Sequence, residues 1–125
     1  MIPMTKDQFI TQLGSVVPEG TVFDNPGGGT STIIKVGDDK LSYMRGKSRF
    51  YLSFSATYDA MRLFSGMTTT TNDLKQHNPE VFDPKYGGHG CNCTTMFKIL
   101  ERMGLIDGTI QGSGKRGSPF FVVIR

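Results

Sequence analysis

Cysteine is scarce in this chain: Cys91 and Cys93 are the only two among 125 residues, and one residue between them is poor spacing for a disulfide. That excludes the disulfide framework of a small secreted domain and implies reduced thiols. No stretch approaches the ~20 apolar residues of a membrane-crossing helix, and none has the layout of a secretory leader. A cytoplasmic protein with no membrane partner is therefore expected. Histidine is limited to His77 and His89; with no acid/base pair, metal cage or activated nucleophile beside them, an enzyme is not expected. Nucleotide loops are missing as well. Gly46-Lys47-Ser48 has Leu41 where a phosphate loop needs its first glycine, and Gly114-Lys115 has Thr109 there. The run from Asn25 to Thr30 lacks the spacing of a dinucleotide fingerprint and reads as a turn. Neither a repeat, a coiled-coil heptad nor a low-complexity tail is visible, so one compact unit without a cofactor is expected.

Charge is modest in size but uneven in place. The net value is +3, yet residues 1–84 hold eight Lys/Arg against nine Asp/Glu, while residues 85–125 hold six against two. The whole positive excess lies in the last third, where it can meet an anionic partner.

That last third has a readable pattern. Met96, Phe97, Leu100 and Met103 recur at helical spacing and form one apolar face, while Thr94, Thr95, Lys98, Glu101 and Arg102 face away. Asn92, or a residue beside it, caps this helix and Gly104 ends it. A strand from Gly108 to Gln111, a glycine-rich loop carrying Lys115 and Arg116, and a returning strand over 119–124 complete a hairpin with a basic tip. Upstream, Ser55 can cap a helix over 56–64 that ends at Gly66. Residues 67–70 form a short β-prone run able to pair with the later hairpin. Thr71 or Asn72 caps a second helix starting at Asp73. Pro79 requires either a break or a fresh turn capped by Asn78, and residues 83–90 form a long turn.

The order helix, short strand, helix, turn, helix, strand, basic loop, strand resembles the winged helix-turn-helix superfamily over residues 56–125. The turn before the last helix is longer than usual, and Pro79 interrupts the second helix. The resemblance implies an α+β protein that binds double-stranded DNA, used in transcriptional control. Carried onto this chain, it puts Asn92, Thr94, Thr95 and Lys98 against base edges in the major groove, with Arg102 reaching a phosphate. Lys115 and Arg116 enter or flank the minor groove. A homodimer would place half-sites about one helical turn apart. The same layout also serves protein-interaction modules, such as an accessory or inhibitor factor that does not touch DNA, for which Tyr43, Tyr51 and Tyr86 are the exposed aromatic candidates.

Residues 1–55 read as an N-terminal extension. Thr5 and Gln8 form a capping box for a helix bearing Phe9, Ile10 and Leu13 and closed by Gly14. Strands follow over 21–24, 31–36, 40–45 and 49–54, with Gly37-Asp38-Asp39 turning one hairpin. Leu41, Tyr43 and Arg45 share a face, as do Phe50, Leu52 and Phe54, which gives a small meander with a buried side. Arg45, Lys47 and Arg49 form a cationic hairpin tip read as solvated, the alternative being a meander that dimerises the protein or adds contacts through these three cations. His77, His89, Cys91 and Cys93 invite a zinc reading, but Cys-x-Cys fits structural zinc poorly, so no metal site is expected.

Overall fold

A computed structural model describes residues 4–125. The architecture is α+β, with two antiparallel sheets sharing one apolar core.

Helix α1 (Lys6–Val16) starts at the expected capping box: Thr5 Oγ1 accepts from Gln8 N at 3.1 Å, and Gln8 Oε1 accepts from Thr5 N at 2.9 Å. It continues past Gly14, because Val17 beyond it is fully buried and draws the last turn onto the core. The first sheet is a meander of β1 (Val22–Asp24), β2 (Thr30–Val36), β3 (Lys40–Arg45) and β4 (Ser48–Ser53), paired in chain order. Tyr43 opposes Ile33 on one side and Phe50 on the other, and Leu41 opposes Leu52, so alternation stacks the apolar side chains on one face.

Strand β4 runs directly into α2 (Phe54–Leu63). The cap is Ser53, not Ser55: Ser53 Oγ accepts from Ala56 N at 3.2 Å. Phe54 faces the core in either conformation, so its burial did not distinguish strand end from helix start. Strand β5 (Thr68–Thr70) follows, then α3 (Thr71–His77); its cap is Thr70, in a reciprocal box with Asp73, and not Thr71 or Asn72, which lie inside the helix. Pro79 opens the short helix α4 (Pro79–Phe82) after Asn78, one of the two outcomes the sequence allowed. A single 3-10 turn (Pro84–Tyr86) leads to α5 (Cys91–Arg102). Strands β6 (Ile106–Gln111) and β7 (Phe121–Ile124) pair with each other and β7 also pairs with β5, giving the order β5-β7-β6. The expected pairing of residues 67–70 with the hairpin is thus present. Strand β6 carries a bulge between Asp107 and Gln111.

Helix α5 is the centre of the molecule. Met96, Phe97 and Leu100 are fully buried, as are Cys93 on the same face and Ile99 on another side of the helix. No helix among the described residues is long and apolar enough to cross a membrane.

Candidate nucleic-acid interface

The expected reading surface is not where the sequence placed it. Asn92 (2% exposed), Thr94 (8%) and Thr95 (1%) are interior residues. Asn92 is not the cap of α5 but lies inside it, and Gly90 occupies the cap position without a side-chain hydrogen bond. Tyr43 of β3 is fully buried over the N-terminal turns of α5 and donates its hydroxyl to Asn92 Oδ1 at 2.6 Å. Asn92 Nδ2 donates in turn to the Val81 carbonyl at 3.0 Å. Tyr43, Asn92 and Val81 thereby tie the meander, α5 and α4 together. A base edge has no route to Asn92 or Thr95, so neither is retained as a DNA contact. Tyr43 is likewise not an exposed aromatic, whereas Tyr51 and Tyr86 are.

Burial pushes the Tyr43 phenol far above its ordinary range, reinforced by the Cys91 thiol 3.2 Å away. The group stays protonated and is a fixed donor.

Lys98 and Arg102 lie on the part of α5 that leads away from its N-terminus. Lys98 is paired with Glu101 at 3.4 Å, and exposed Arg102 reaches the Val22 carbonyl of β1 at 3.5 Å. Neither joins the basic hairpin tip.

What does join it is a groove of about 520 Å³ between the start of α3, the start of α5, the end of β3 and the loop between β6 and β7. Its cations are Arg45, Lys75, Lys115 and Arg116, and no carboxylate lines it. The two ion pairs found among the described residues involve none of these four. Thr94 is the one α5 residue of the original set that borders the groove, and its hydroxyl donates to the Cys91 carbonyl at 3.2 Å. Gly90 and Cys91 also line it, so the uncapped N-terminus of α5 adds its positive end to the same space.

Local geometry fixes the loop side of the groove. Phe120 packs against Gly114, where a Cβ would come within 2.4 Å of the ring, and Gly114 adopts φ +75. Only glycine lets the loop fold back this closely. Phe120 also lies 3.6 Å from where a Cβ on Gly27 would sit, so the β1–β2 turn supports the loop from behind.

Two groove cations lie outside the expected DNA-contact set: Arg45, which the sequence put in a solvated hairpin tip, and Lys75, which it did not single out. A signal for Arg45 was present: it continues the alternation of Leu41 and Tyr43 and so belongs at the end of the inward face, beside α5. For Lys75 no comparable signal existed, because one lysine on a short polar helix is indistinguishable from a solvated one.

The thiols differ in accessibility. Cys91 is partly exposed at the groove, whereas Cys93 is buried against the Thr71 and Phe82 carbonyls. Burial pushes the Cys93 thiol up to about 12, against a smaller lowering by Lys75. The sign follows from linkage: the fold favours protonated Cys93, so this contribution is complete below the ordinary thiol pKa, about 8.5, and is lost as pH rises towards 12. In a thiol titration at pH ~8, below that range, Cys91 is expected to react in the folded protein and Cys93 only after denaturation. Rapid labelling of both in the native state would contradict the buried placement. Among the described residues, no group of three or more His, Cys, Asp or Glu is placed to hold a metal ion.

No family model, curated protein or solved structure matches the chain.

Proposed function

We propose that the elements from α2 to β7 form a winged helix and that the protein binds double-stranded DNA through phosphates, using the groove beside the wing. The fold part of this reading is supported by the order of the elements, by the pairing of β5 with the terminal hairpin and by a hairpin loop on which Lys115 and Arg116 are exposed. The function part rests on one observation: four cations from three separate parts of the chain, β3, α3 and the β6–β7 loop, face one groove that no carboxylate among the described residues lines. Such convergence gives a positive potential suited to an anionic backbone.

The mode of binding differs from the usual winged-helix arrangement. With Asn92 and Thr95 sealed under Tyr43, α5 positions the groove and does not read bases. Phosphate contacts fix position and carry affinity but little sequence information. A role in transcription would then depend on DNA shape or on an additional specificity factor.

The test is binding to several unrelated blunt duplexes over a range of salt concentrations. Affinities should be similar among sequences and fall steeply with salt, with a log-log slope of about −3 to −4 if all four cations meet phosphates. A strong preference for one sequence, or binding insensitive to salt, would overturn this mode.

A further inference from the structure

The groove does not end at α3. A second concavity, about 480 Å³, adjoins it and shares Asn72 and Lys75 with it; Gln76, Asp83, Lys85 and Tyr86 are among its other walls. Tyr86 is 62% exposed, the most exposed large hydrophobic side chain among the described residues. It is nevertheless held by a rigid segment. Pro84 restricts the turn, and the Asp83 carboxylate is engaged by Lys85 N at 3.0 Å. Behind it Gly88 is packed so closely that a Cβ would come within 2.6 to 2.8 Å of the backbone of Val81, Phe82 and Asp83.

We infer that this second concavity takes an unpaired nucleotide continuing from a duplex held in the groove, so that the preferred substrate is a junction of double-stranded and single-stranded nucleic acid. The inference rests on the DNA reading of the groove and specifies its substrate. Three features carry it. The shared Lys75 makes the two concavities one path, so a backbone leaving Arg45, Lys115 and Arg116 meets Lys75 and then Lys85. The path ends at an exposed aromatic ring carried on a turn whose backbone is fixed, the kind of platform on which an unstacked base sits whatever its identity. Gln76 adds an amide that can hydrogen-bond a base edge or sugar. A continuous duplex would keep its bases stacked on each other and leave the Tyr86 ring without a partner.

The experiment compares a blunt duplex with the same duplex bearing a short single-stranded extension, by fluorescence anisotropy, with the fluorescent adenine analogue 2-aminopurine in the extension as a stacking reporter. The extension is expected to tighten binding by about tenfold and to quench the reporter. Tyr86→Ala should abolish both effects while leaving blunt-duplex affinity unchanged, and Tyr86→Phe should retain both. Equal affinity for the two probes, or equal weakening of both by Tyr86→Ala, overturns this inference and leaves the groove reading intact. Failure of the protein to bind either probe overturns the groove reading, and this one with it.

Discussion

Replacing Arg45, Lys75, Lys115 and Arg116 together by alanine is expected to weaken duplex binding on the order of a hundredfold at moderate salt and to flatten the salt slope by about 3 to 4. The size follows from the number of phosphates each side chain can neutralise. Every such contact releases condensed counterions, and about −0.9 of slope belongs to each. Single substitutions should each remove roughly one such increment and weaken unrelated sequences alike. The fold should tolerate these changes: among the described residues the four cations have no carboxylate partner, and Lys115 and Arg116 are exposed on the β6–β7 loop. Circular dichroism and melting temperature provide the control. A quadruple variant that melts normally and binds duplex DNA with unchanged affinity would remove the groove from the mechanism. Replacing Lys98 and Arg102 instead should have little effect, because they lie outside the groove.

The second large effect concerns stability. Tyr43→Phe removes the hydroxyl that donates to Asn92 Oδ1, leaving a buried amide oxygen without that donor. An orphaned buried polar group costs about 1–3 kcal/mol, equivalent to a melting-temperature drop of roughly 5–10 °C for a chain of this size. Asn92→Ala should be similarly costly, because it removes the oxygen acceptor of the buried Tyr43 hydroxyl and one of the two donors to the Val81 carbonyl, which keeps only the His89 N–H. Tyr43→Ala adds the loss of a packed ring and should cost about 3–5 kcal/mol. The paired variant Tyr43→Phe/Asn92→Leu should lose less than the sum of the single changes, since both unpaired atoms disappear together. The same series separates two roles for Asn92. As an internal tie it changes melting without changing sequence preference. If Asn92→Ala melted like the native protein and altered which duplexes were bound, the buried placement of α5 would be wrong.

A different fate of α5 explains most of the distance between sequence and structure. Its first apolar stripe, Met96, Phe97, Leu100 and Met103, was legible because those residues repeat at helical spacing, and all are buried. A second stripe was harder to see: Asn92, Thr95 and Ile99 also recur at helical spacing, but two of the three are polar. Only Ile99 hinted that another layer covers that side. The covering layer comes from strands some fifty residues earlier in the chain, as the Tyr43–Asn92 bond shows. Local pattern carries no information about such a contact. The tie is satisfied by hydrogen bonds in the interior, and a polar side chain that is satisfied looks the same in sequence as one that is exposed.

The amino-acid order by itself determined the elements. The capping box at Thr5, glycine and proline punctuation, and the alternation of Leu41, Tyr43 and Arg45 are local chemistry, each acting over a few residues. Cap positions shifted where neighbouring residues offered equivalent chemistry, as with Ser53 in place of Ser55. Tertiary structure alone decided which polar faces reach solvent. It folded the meander over α5, withdrew Asn92 and Thr95 into the core, and brought Arg45 and Lys75 beside Lys115 and Arg116. The physical reason is that burial and convergence of charge depend on contacts between segments distant in the chain, whereas helix and strand preferences depend on neighbours.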